Sequence, residues 1–305
     1  MRVIRRIGIP ILIVFLLASL FSCIPKQLMS DPSSNRSVSP EIEDAFTKAL
    51  AAIISLDNET MAKLEDAYQT QYGYPLALDD VKAEPGDLLG GTFCYGKFDE
   101  CIVIFSPTML AVLSSKMIAD EVFSYGSSFV LYGYHDGVFY SLEEAYEKGF
   151  ITKDEVAIAA ECHRTIGRYN ALRACYDRAT SALKLPEENT RKSIVEAFGD
   201  KGSSIAWLNL DNKEQFASPH LRSYGDFNGC TVLLMTLQSE DKNTQIVADR
   251  SFESQMGFSL WAYYEEALYS LEEAYEKGFI SQSDIGVAVA LHNDVECYIE
   301  MITEN

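Results

Sequence analysis

Apolar positions along the chain alternate between two spacings, and each change of spacing marks an element. Phe46, Leu50, Ile53 and Ile54 recur at helical intervals and predict a helix over 42–56, with a second over 62–70. Cys101 to Phe105 is a short apolar run rich in β-branched residues, which predicts a buried strand. Ile118 to Tyr125 and Phe129 to Tyr134 predict two more strands, and Val138-Phe139-Tyr140 completes the pairing. His135-Asp136-Gly137 between the last two supplies a hairpin turn, because glycine tolerates the positive φ required. Ser141 precedes Glu144 by three residues, a capping box that satisfies orphan amides at a helix start. Leu142, Ala145 and Tyr146 are expected to face inward, Gly149 to cap the helix end, and Phe150 and Ile151 to re-enter the core. Thr152 and Glu155 form a second capping box, opening a helix that runs through Ala160 or beyond. Another helical stripe, Ile166, Tyr169, Leu172, Tyr176, Ala179 and Leu183, ends before Pro186.

The pattern then repeats. Tyr140–Ile151 recurs unchanged as Tyr269–Ile280, 129 residues on. At that offset Tyr95, Gly96, Phe98, Cys101 and Val103 meet Tyr224, Gly225, Phe227, Cys230 and Val232 without a gap. Ala119, Asp120, Phe123, Phe129 and Leu131 meet their like, as do His163 with His292 and Tyr169 with Tyr298. Upstream, Leu64–Tyr68 resembles Ile194–Phe198, and the helix over 42–56 falls opposite 171–185. A period this long indicates duplicated domains, since solenoid units run to about 20–50 residues. The expected fold class is α+β: two tandem copies of one domain, 41–169 and 170–305, each a small, mainly antiparallel sheet packed with helices. In place of Asp136-Gly137 the second copy has Glu265-Glu266, so its turn is expected to differ.

The amino terminus reads as an export signal. Arg2, Arg5 and Arg6 precede an apolar run from Ile7 to Leu20, broken by Gly8, Pro10 and Ser19. That run is short for a membrane span, which needs about 20 apolar residues, and it suits a signal peptide. Leu20-Phe21-Ser22-Cys23 follows, and this resembles the lipobox of bacterial lipoprotein signals, with Phe21 bulkier than that pattern's small residue. The resemblance implies cleavage after residue 22 and lipid attachment to the Cys23 sulfur, with palmitate-type acyl chains. Residues 23–40, rich in Ser, Pro and Asn, cannot build a core and read as a flexible tether. The expected location is the bacterial cell envelope, on its extracytoplasmic side.

Composition narrows the partners. The chain carries a formal net charge of −20, which argues against nucleic acid or anionic lipid as a ligand for a broad basic face. Of seven cysteines, Cys94, Cys101, Cys162, Cys175, Cys230 and Cys297 remain beyond Cys23, and six allow 15 connectivities. Only Cys101 and Cys230 correspond at the repeat offset. Cys162 faces Leu291, Cys175 faces Phe46 and Cys297 faces Arg168, which favours buried packing thiols over a shared disulfide framework.

No catalytic constellation stands out. Adjacent Cys162 and His163 point about 100° apart on a helix, and the histidine reads as one that helps to finish it. His292 has Glu296 one turn on but no third metal ligand at helical spacing. Gly90-Gly91 reads as a plain turn, with no lysine behind it to hold phosphate. No catalytic residue, metal or cofactor is therefore expected. The many strand aromatics are expected in the core, or on a face that contacts peptide or glycan.

The repeat is also similar to repeats of uncharacterised bacterial surface and lipoprotein sequences. In those a Tyr-Gly step leads an apolar strand and an aromatic-Ser-Leu-x-Glu-Ala-Tyr-x-x-Gly helix follows. That likeness implies a location and no mechanism. The resulting expectation is a membrane-anchored surface lipoprotein with a duplicated non-catalytic binding domain, for a protein or glycan ligand. The alternative is an envelope hydrolase with its site between the repeats.

Overall fold

Capping side chains set the helix starts. Ser39 accepts from the Ile42 amide and leads into α1, Pro40–Ala51, and Asp57 accepts from Thr60 ahead of α2, Asn58–Tyr72. The computed structural model describes residues 39–73, 75, 76, 88, 92–105, 131–199, 205–236 and 260–303. The expected signal segment, Cys23, Gly90-Gly91 and the strand expected over 118–125 lie outside the described residues. Ser39, expected in the tether, is buried, and its hydroxyl lies 2.8 Å from that of Tyr298.

The fold is mixed α and β, with two mostly antiparallel sheets. The first sheet runs β1 (Phe93–Lys97), β2 (Ile102–Phe105), β3 (Leu131–His135) and β4 (Val138–Ser141), each strand beside the next. Then come α3 (Leu142–Glu147), α4 (Lys153–Ala182) and α5 (Glu188–Ala197). The second sheet runs β5 (Ala206–Trp207), β6 (His220–Phe227), β7 (Cys230–Thr236), β8 (Leu260–Tyr264) and β9 (Ala267–Ser270). Its one parallel pair joins β5 to β6. The chain closes on α6 (Leu271–Glu276) and α7 (Gln282–Thr303).

Local features recur at the sequence offset. The β1–β2 ladder shifts register between Cys94 and Gly96, and the β6–β7 ladder does so between Ser223 and Gly225. Both capping boxes, at Ser141/Glu144 and Ser270/Glu273, are formed. Gly149 and Gly278 then take φ of 78° and 73°, the left-handed conformation that ends each short helix. The β8–β9 turn is an exception to expectation. Glu265 and Glu266 adopt φ of 46° and 64°, matching Asp136 and Gly137 at 46° and 82°. The flanking strand pairing forces both two-residue loops into one shape, and the glutamates accept the strained backbone.

Each sheet is sandwiched because alternate side chains point to opposite faces. In the first, Phe93, Tyr95, Cys101 and Val103 join a core with α1 and α4, while Cys94, Ile102, Ile104 and Tyr132 pack with Leu64 and Tyr68 of α2. In the second, Tyr224, Cys230 and Val232 join the first of those cores, while Leu233 and Tyr263 pack with Ile194 of α5. α4 runs unbroken across the boundary expected between 169 and 170. Its first half lies in the core with the first sheet, and its second half reaches α7. One continuous apolar cluster therefore includes Ile42 and Ile302.

α4 and α7 are joined covalently. Cys175 and Cys297 form a disulfide, with their Cα atoms 5.9 Å apart. The expectation of packing thiols fails here because facing turns of two helices place both sulfurs in one contact. Cys94, Cys101 and Cys230 are free and buried, and Cys162 is free and partly buried.

Candidate functional site

Three groupings of polar or exposed side chains stand out. The first is a pair of tyrosine–histidine contacts, part-buried at His163 and buried at His292. Tyr95 and Tyr224 sit at equivalent register positions of β1 and β6. His163 sits in the first half of α4 and His292 midway along α7, where each helix packs on its sheet. Tyr95 Oη is 3.1 Å from His163 Nδ1, and Tyr224 Oη is 2.7 Å from His292 Nδ1. Burial pushes both imidazoles down to about 4 and both phenols up. The imidazoles are therefore neutral at pH 7 and unsuited to hold a proton for transfer. His163 does not finish a helix, since α4 continues to Ala182. The sequence shows that both tyrosines and both histidines recur, but only the crossing of helix and sheet joins them.

The second grouping occurs only beside Tyr224. Arg222 is buried; its Nε donates to His220 Nε2 at 2.9 Å and its Nη1 donates to Glu296. His220 Nδ1 lies 2.8 Å from the Ser218 carbonyl, so it carries the proton and Nε2 is the acceptor. Burial and the Arg222 charge hold His220 below its ordinary range. Glu296 Oε1 is also 3.9 Å from His292 Nε2. A guanidinium on that carboxylate opposes a metal ion there, and among the described residues no group of three His, Cys, Asp or Glu side chains is placed to hold one. At the 129-residue offset Phe93 replaces Arg222 and Gly167 replaces Glu296. Sequence reading paired His292 with Glu296 but missed Arg222 and His220, because they lie on β6, far from α7 in the chain, and belong to no motif.

The free thiols are equally unreactive. Burial raises Cys94, Cys101 and Cys230 to about 11 and moves Cys162 upward as well. Thiols of that kind are poor nucleophiles at neutral pH.

The third grouping is at the surface. Tyr146, expected to face inward, is 44% exposed, and Tyr275 is 43% exposed. A six-residue helix buries one narrow stripe, and here Leu142 and Ala145 fill it. Glu147 and Lys148 stand beside Tyr146, as Glu276 and Lys277 stand beside Tyr275, and all four are exposed. Lys148 Nζ lies 5.6 Å from the centre of the Tyr140 ring, and Lys277 Nζ lies 5.7 Å from that of Tyr269.

Among the aligned, described stretches 95–105 with 224–234 and 131–169 with 260–298, positions exposed in both halves can be compared directly. Outside the repeated twelve-residue segment every such pair differs. Examples are Lys97 with Asp226, Lys153 with Gln282, Asp154 with Ser283, Ile158 with Val287 and Glu161 with Ala290. Inside it Glu144, Tyr146, Glu147, Lys148 and Gly149 are all repeated. Glu144 is held by the cap and Gly149 by its backbone conformation. No comparable packing role fixes Tyr146 and Glu147.

No protein-family model, no curated protein and no solved structure matches the chain. Among the described residues, no helix is long and apolar enough to cross a membrane. Cys23, the residue expected to carry lipid, lies outside the described residues.

Proposed function

We propose that the chain is an exported lipoprotein, anchored to the cell envelope through Cys23, whose mature part is two tandem copies of one α+β domain. The two copies act as a non-catalytic binding module for a protein or glycan. The observation that carries this reading is the repetition of Tyr146, Glu147 and Lys148 as Tyr275, Glu276 and Lys277, on surfaces that otherwise differ. Two like sites on one chain raise avidity for a repeated ligand without new contacts. The Cys175–Cys297 disulfide supports an oxidising compartment, because structural disulfides are rare in the cytosol. Neutral, buried histidines and protonated thiols support binding over covalent or acid–base chemistry.

A second reading, an envelope hydrolase, draws on the Arg222, His220 and Glu296 cluster, which has no counterpart in the first half. Those groups are bonded to one another and Arg222 is only 4% exposed, which leaves the second reading behind the first.

The test is capture of ligand from envelope extract by the full chain and by the Tyr146→Ala, Tyr275→Ala double variant. Species retained by the wild type and lost by the variant support the module. Equal capture by both, together with turnover in a hydrolase substrate screen, favours the enzyme.

A further inference from the structure

We propose that the Cys175–Cys297 bridge is a thiol–disulfide exchange site, opened in the folded protein by a dithiol reductant. Cys297 is the sulfur attacked, and Cys175 is the leaving group beside Arg178. The proposal goes beyond the binding-module reading and does not depend on it. Arg178 follows Cys175 by three residues on α4 and aims one nitrogen at both sulfurs. Its Nη2 lies 3.2 Å from Cys175 Sγ and 3.4 Å from Cys297 Sγ. Its Nε donates to Asp294 Oδ1, on α7, at 3.1 Å. Cys175 is buried, whereas Cys297 is partly exposed and open to an incoming thiolate.

A guanidinium does little for an intact bridge, because a neutral sulfur is a weak acceptor. It does much for a thiolate, whose charge it offsets and whose basicity it lowers. A less basic thiolate is also the faster leaving group. The arrangement therefore stabilises the opened state more than the closed one. At the 129-residue offset Phe46, Ala49, Thr165 and Arg168 stand in place of Cys175, Arg178, Asp294 and Cys297. The two cysteines, the guanidinium and the carboxylate thus occur together in the second half and have no counterpart in the first.

In the first step a thiolate of the reductant attacks Cys297 Sγ. The bond between the two protein sulfurs breaks, and its electron pair stays on Cys175 Sγ beside Arg178. The reductant's second thiolate then attacks its own sulfur in the mixed disulfide. Cys297 leaves as a thiolate and the reductant closes to a disulfide. Two electrons pass to the protein, and the two protons lost by the dithiol reach Cys175 and Cys297 through water. Opening removes the covalent tie between α4 and α7 and leaves their shared apolar core in place.

The experiment exposes the full chain, held in detergent micelles without denaturant, to dithiothreitol. Samples are quenched at intervals, and thiols are counted by alkylation after unfolding. Reduction is expected to add two thiols, mapped to Cys175 and Cys297, at a rate unaffected by low urea. Arg178→Gln should slow it at least about threefold, the scale for a half-exposed cation beside the leaving sulfur. Asp294→Asn breaks the same ion pair but keeps the guanidinium, so the rate should stay equal or rise. Glutathione, used on the wild type with rapid alkylation, should be trapped on Cys297. A bridge that is only a strut opens when α4 and α7 separate, and loss of the ion pair then speeds reduction in both variants. Reduction of Arg178→Gln as fast as the wild type, or faster, overturns the proposal. Equal slowing by Asp294→Asn does so too, because its guanidinium remains. Glutathione trapped on Cys175, or a rate that climbs with low urea, overturns it without recourse to any variant.

Discussion

Glu265 and Glu266 occupy backbone conformations that cost a side-chain-bearing residue free energy, and the penalty is set at the level of the single residue. Glycine has no such penalty, and Gly137 already fills the matching position in the first hairpin. Glu266→Gly is therefore expected to stabilise the fold by about 0.5–1 kcal/mol, read as an increase in melting temperature. A fall in melting temperature would mean that the Glu266 side chain contributes more than the relieved strain. The buried histidines give a pH-dependent counterpart. Burial lowers both imidazoles from their ordinary 6.5 to about 4. The unfolded chain thus takes up protons at a higher pH than the folded one. The stability linked to each histidine is complete above pH 6.5 and is lost as pH falls toward 4, by roughly 2 kcal/mol per site after allowance for partial solvent access. In urea titrations, His163→Gln with His292→Gln should flatten stability between pH 6.5 and 4 relative to the wild type. An unchanged slope would assign acid sensitivity to other groups.

At the scale of elements, α4 carries the greatest structural burden. It is a helix of 30 residues that serves both sheets, starting from a complete capping box at Thr152 and Glu155. Its far half is tied to α7 by the Cys175–Cys297 bridge, which closes a sequence separation of 122 residues. Cross-linking so long a loop restricts the unfolded chain. Cys175→Ala with Cys297→Ala is expected to cost about 3 kcal/mol, measured by chemical denaturation without reductant. Adding a reducing agent to the wild type should reproduce much of that loss and leave the double variant unaffected. Helix starts and hairpin positions were legible in the sequence because they depend on residues three or four apart. The capping boxes at Ser141 and Ser270 form as their spacing required. The disulfide was not legible. Cys175 and Cys297 stand opposite Phe46 and Arg168 at the repeat offset, and that comparison tracks local packing, whereas the bond depends on which turns of two distant helices meet.

For the whole molecule, the decisive prediction concerns its anchor. Cys23→Ala should move the protein from the membrane pellet to the soluble fraction after cell fractionation. Retention in the pellet at the wild-type level would sink the lipoprotein proposal. The tether, the strong negative charge and the paired exposed segments form one proposal at this scale: a surface held away from the bilayer and presenting two similar sites to a partner. By itself the sequence determined most of the helices, three strands of the first sheet, the capping boxes and the recurrence of a twelve-residue segment, because those follow from local spacing and backbone preference, whereas β1, Phe93–Lys97, it did not mark. Only tertiary structure decided that Tyr95 meets His163 and Tyr224 meets His292, since each pair is 68 residues apart and meets through a crossing of helix and sheet. It also decided that Arg222 and His220 are buried together and meet the partly exposed Glu296, and that Tyr146 faces solvent while Ala145 is covered. Burial and long-range contact depend on how elements lie against one another, and hydrophobic spacing within a six-residue helix leaves that orientation open.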